Sequence, residues 1–105
     1  MDLRFCIYDY GRKKMLYFDG IFNDFIPENC SKPMLFTGAF SANNEKIYEN
    51  DIIVCEGVKV YVKYSEDICG FVLYEADTDN LFNDTSELGI YKKIGNRIAN
   101  PELLA

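Results

Sequence analysis

The residue types that most often carry catalysis are scarce in this chain. There is no histidine among its 105 residues, which removes the commonest general base and a frequent metal ligand. Cys6, Cys30, Cys55 and Cys69 are widely spaced and form no Cys-x-x-Cys pair. A cysteine nucleophile needs a neighbouring group that lowers its pKa, and the spacing offers none. With no secretory signal pattern at the N-terminus, these thiols are expected to be reduced and largely buried. Glu49 and Asp51 are one carboxylate pair that could share acid–base work. A turn-region aspartate, however, commonly accepts hydrogen bonds from neighbouring backbone amides, and that structural role is expected here. Glu75, Asp77 and Asp79 alternate as in a calcium loop, yet no turn glycine follows and the twelfth position from Asp77 is Leu88. Neither a phosphate-binding glycine loop nor a nucleophile elbow is present. The residues therefore point to a non-enzymatic protein with no catalytic residues, no cofactor and no metal site.

Charge is the next source of chemistry. The formal net charge is −6, and it is unevenly placed. Between Lys63 and Lys92 there is no Lys or Arg, but there are seven acidic residues: Glu66, Asp67, Glu75, Asp77, Asp79, Asp84 and Glu87. Such a segment is either a solvated acidic face or a surface that docks on a basic groove, imitating spaced phosphates. The overall acidity argues against tight binding to a nucleic-acid backbone, which depends on clustered Lys and Arg. A small exception is the Lys59, Tyr61, Lys63 run, where an aromatic ring between cations could stack on a base. The competing reading is that Tyr61 and its aromatic neighbours fill the core and cross-strand pairs.

The elements that must position these groups are strands. Leu3, Phe5 and Ile7 alternate with Arg4, Cys6 and Tyr8, predicting a first strand. The Asp9–Arg12 turn then lets residues 13–18 return antiparallel. Asp19-Gly20 is a two-residue turn signal, followed by a short strand over 21–26. A loop between Pro27 and Pro33 precedes a brief strand over 34–37. Residues 52–55, a Glu56-Gly57 turn and residues 58–64 form the clearest hairpin, with Val58, Val60 and Val62 on one face and Lys59, Tyr61 and Lys63 on the other. Strands are also expected over 68–75, with Gly70 marking a bulge, and over 88–94. One short helix is placed around residues 79–83 or after Asn100. Many short strands separated by turns give an all-β fold: a small SH3-like or partly open β-barrel with an extended, packed C-terminal tail, residues 1–105 forming one domain.

Three segments carry a family resemblance. Phe36-Thr37-Gly38 leads through Lys46-Ile47-Tyr48 to Asp51, and the chain closes on Gly95-Asn96 and Asn100-Pro101-Glu102-Leu103. Together with the opening Arg4-Phe-Cys-Ile-Tyr-Asp9, these resemble the YopX-like family of small phage and prophage proteins. That family usually has Gly where Asn50 stands here, and an Asn-Gly turn where this chain reads Asn43-Asn44-Glu45. Asn tolerates positive φ better than most residues, so the turn at Asn50 remains feasible. The resemblance implies a structural role for the motif residues and a cytoplasmic protein of the host bacterial cell. It fades between residues 65 and 88, where any function particular to this chain would lie.

No apolar stretch is long enough to span a membrane as a helix. The expected role is binding of another macromolecule, a host or phage protein. An acidic nucleic-acid mimic that inhibits a host defence or nucleic-acid enzyme is the first alternative, and a nucleic-acid-binding barrel the second. Exposed strand edges leave homo-oligomerisation open.

Overall fold

The structure, a computed structural model, describes residues 4–19, 28–55, 57–84 and 91–104. The expected Asp19-Gly20 turn, the strand over 21–26 and the start of the strand over 88–94 lie outside these residues, wholly or in part. Nine strands are described: β1 (Arg4–Asp9), β2 (Lys14–Asp19), β3 (Met34–Phe40), β4 (Lys46–Tyr48), β5 (Asp51–Cys55), β6 (Val58–Ser65), β7 (Gly70–Glu75), β8 (Leu81–Asp84) and β9 (Lys92–Asn96). A single 3-10 turn of helix, Pro101–Leu104, follows β9. No α-helix occurs among the described residues.

The strands form two sheets, ordered β2-β1-β3-β4 and β8-β7-β6-β5-β9. All described pairings are antiparallel. The fold is thus all-β and compatible with a small, partly open barrel. Alternation along β6 turns Val60 and Val62 inward, where they join Ile47, Ile53 and Leu73 in one core cluster. Burying each such aliphatic side chain contributes about 1.5–3 kcal/mol. A second cluster, Cys6, Met34 and Tyr48, fills the space beside the β1–β2 hairpin, with Ile98 of the tail packed against it. Phe5, Cys6 and Ile7 are all buried, so β1 is covered on both faces.

Four sequence expectations need correction. Residues 79–83 are not helical: Leu81 begins β8, and β8 pairs with β7 through Tyr74↔Leu81 and Val72↔Asp84. An available sheet edge outweighed the weak local preference for a turn of helix; among the described residues the short helix takes the other expected place, after Asn100. The strand expected from Ile68 starts at Gly70, because Glu66–Cys69 form a turn in which Cys69 has φ 52°. The same turn leaves the Cys69 thiol exposed, whereas Cys6 is buried. The short strand β4 was hidden in the loop that precedes Asp51.

Candidate functional site

The two motif segments meet at the turn between β4 and β5. Asn50 occupies the turn with φ 69°, the conformation that its side chain tolerates and that glycine would otherwise supply. Asn44, in the preceding loop, behaves in the same way with φ 61°. Asp51 then closes the β4–β5 turn: its Oδ2 accepts the Tyr48 amide at 2.7 Å. Upstream, Thr37 Oγ1 donates to the Ile47 carbonyl at 2.8 Å. Gly38, with φ 88°, sits where the register between β3 and β4 shifts.

Asp51 is 1% exposed and is held from β9. A register shift opposite Ile52 and Ile53 places Lys93 beside it, with Nζ 2.9 Å from Asp51 Oδ2. The same ammonium donates to the Lys46 carbonyl at 2.9 Å. Asn96 Nδ2 donates to Asp51 Oδ1 at 2.9 Å, and Asn96 Oδ1 accepts the amides of Ile98 and Ala99. Asn100 Oδ1 accepts the Asn96 amide at 3.1 Å, so the tail is tied back onto β9 just before Pro101.

Glu102 and Leu103 lie in the 3-10 turn that Pro101 begins. Gly95 makes room for that turn. A Cβ there would fall 2.5 Å from Leu103 Cδ1 and 2.8 Å from Asn100 Oδ1.

Electrostatically this is an anchor. Burial pushes the Asp51 carboxyl above its ordinary range, opposed by Lys93, Asn96 and the Tyr48 amide. Burial, reinforced by the Asp51 charge, pushes the neighbouring Cys6 thiol up to about 12. A small cavity of about 130 Å³ separates Cys6, Tyr17, Asp51 and Asn96. Both Asp51 oxygens already hold donors, so the carboxylate is committed to structure. Glu49 is likewise engaged, accepting the Leu35 amide at 3.3 Å.

The acidic segment is split by the fold. Glu66 and Asp67 lie in the turn before β7, while Glu75, Asp77 and Asp79 lie at its far end. The six residues of β7 separate the two groups by roughly 17 Å of extended chain. Between them runs an apolar groove of about 560 Å³ lined by Ile68, Val72, Tyr74, Leu81 and Phe82, with Asp67 on its wall. Ile68 and Leu81 are 60% and 66% exposed. Asp79 is partly structural, accepting the Tyr61 hydroxyl at 2.8 Å. The side chain of Asp84 and the whole of Glu87 lie outside the described residues.

The Lys59–Tyr61–Lys63 stacking face, the lesser of the two readings of this run, does not present its ring. Tyr61 is 6% exposed. The Arg97 guanidinium covers it at 4.1 Å, and Tyr74 stacks beside it at 5.7 Å. Lys59 Nζ donates to the Leu103 carbonyl at 2.7 Å, so this lysine clamps the tail. Lys93 and Arg97 were not singled out from the sequence. Nothing distinguishes a half-buried lysine in a short strand until its partner carboxylate is placed.

A small all-β domain whose tail is locked onto a buried Asp–Lys–Asn cluster is the class these observations define. The YopX protein family model matches residues 9–105, and the chain belongs to that family. No curated protein matches it.

Proposed function

We propose that this chain is a non-enzymatic binding protein of phage or prophage origin, acting in the bacterial cytoplasm on a partner protein. Its docking surface is the apolar groove beside β8, and its partner presents an apolar segment flanked by basic residues. The observation that carries this reading is the bracketing of exposed Ile68 and Leu81 by acidic groups at both ends of β7. Apolar contact supplies affinity in such an arrangement, and the charges steer and orient the partner. A nucleic-acid mimic would need only the charges, and a central apolar groove has no counterpart in a phosphate backbone.

Affinity capture from bacterial lysate with three matched proteins separates these readings. The wild type is compared with an Ile68→Ser/Leu81→Ser variant and with a Glu66→Gln/Asp67→Asn/Asp77→Asn variant, each first shown to keep its melting temperature. A partner lost by both variants supports the groove. Loss with the charge variant alone, abolished by moderate salt, favours the mimic. Capture unchanged in both variants refutes the proposal.

A further inference from the structure

A second concave site lies beside Arg97 and Ile98 of the tail, and its charge runs against that of the chain. It is a pocket of about 340 Å³ walled by Tyr10, Lys32, Glu49, Lys63 and Arg97. Three cations thus face one carboxylate in a protein of net charge −6. Among the described residues, none of the three cations is ion-paired. The single acid, Glu49, is turned onto the Leu35 amide.

The cations are not all loose surface chains. Arg97 is fixed twice: its backbone amide donates to the Asn50 carbonyl at 2.8 Å, and its guanidinium lies on the Tyr61 ring. That ring is itself held by the Asp79 hydrogen bond. The guanidinium also hydrogen-bonds the Tyr61 hydroxyl, and with five N–H donors it retains others for a planar or tetrahedral anion, a geometry suited to phosphate. At the rim, Tyr10 is 47% exposed and braced edge-on by Tyr8, with ring centroids 5.3 Å apart. An aromatic face beside a cation cluster matches the two halves of a nucleotide. The volume lies within the range of small-ligand pockets.

We propose that this pocket binds a nucleoside phosphate, with the phosphates on Arg97, Lys63 and Lys32 and the base against Tyr10. The site is independent of the β8 groove, so either can fail alone.

Calorimetric titration at low salt with ADP, pyrophosphate and adenosine tests the assignment on wild-type protein, Lys32→Ala/Lys63→Ala and Tyr10→Ala. We expect ADP and pyrophosphate to bind and adenosine not to, with ADP about tenfold tighter because of stacking. The double lysine variant should weaken both phosphates by about tenfold or more. Tyr10→Ala should bring ADP down to the pyrophosphate level and leave pyrophosphate unchanged. No heat with either phosphate at millimolar concentration overturns the site. Binding that ignores the lysine substitutions places the ligand elsewhere, and equal affinity for ADP and pyrophosphate in the wild type overturns the base contact.

Discussion

Lys93 Nζ lies 2.9 Å from Asp51 Oδ2, and the two side chains are 13% and 2% exposed. This pair joins the first residue of β5 to the second residue of β9. Because Asn96 and Asn100 continue the network, it also decides where the tail lies. Lys93 further leans over the Tyr48 ring at 5.8 Å, so one cation serves a carboxylate, a backbone carbonyl and an aromatic face.

Removing one member of a buried pair leaves the other charge without compensation. Asp51→Ala should lower stability by about 3–5 kcal/mol. Asp51→Asn keeps an acceptor for the Tyr48 amide and should cost less. Chemical denaturation of the three proteins provides the comparison, and a change below about 0.5 kcal/mol for Asp51→Ala would remove the anchor role.

Gly95→Ala forces a methyl group onto Leu103 and Asn100. The expected cost is about 1–3 kcal/mol, the usual range for overpacking. Truncation after Asn100 should also destabilise the domain. Since both changes act on one contact, the alanine should cost less in the truncated chain than in the full one. Melting curves for the four proteins test this, and additive losses would contradict it.

The thiols should differ sharply in reactivity and pH response. Cys69 is exposed and should be alkylated first, with Cys6 modified only as the protein unfolds. Burial raises the Cys6 thiol from 9.0 to about 12, so the folded state holds a proton that the unfolded chain releases. Its contribution is therefore fully present below pH 9 and is lost as pH rises towards 12. The loss should approach about 1.4 kcal/mol per pH unit inside that window. Wild type should thus lose stability more steeply than Cys6→Ala between those pH values. Equal slopes would mean that the thiol is not sealed.

The hairpin β5–β6 was legible because Val58, Val60 and Val62 alternate cleanly after a Gly57 turn, and Gly57 indeed has φ 82°. The role of Asn50 was legible from its tolerance of positive φ, and Asp51 from its place at a turn; the like conformation of Asn44 came only with the structure. What escaped is what depends on distant partners. That Tyr61 packs in a cross-strand pair was the favoured reading of its type, but its cover by Arg97, thirty-six positions later in the sequence, was not legible. Lys93 reads as a surface lysine until Asp51 is placed beside it. The acidic segment reads as one run, but β7 divides it into two groups with an apolar groove between them.

The groove is the central functional claim, and a nuclear magnetic resonance titration of the isotopically labelled chain tests it most directly. The probes are synthetic peptides in which an apolar centre is flanked by Lys and Arg, with polar-centre and acidic-flank versions as controls. We expect the basic-flanked apolar peptides to shift the amides of Ser65, Ile68, Val72, Leu81 and Phe82, and the controls to have little effect. Shifts confined to other surfaces, or equal responses to all three peptide classes, would contradict the assignment of this groove as the docking surface.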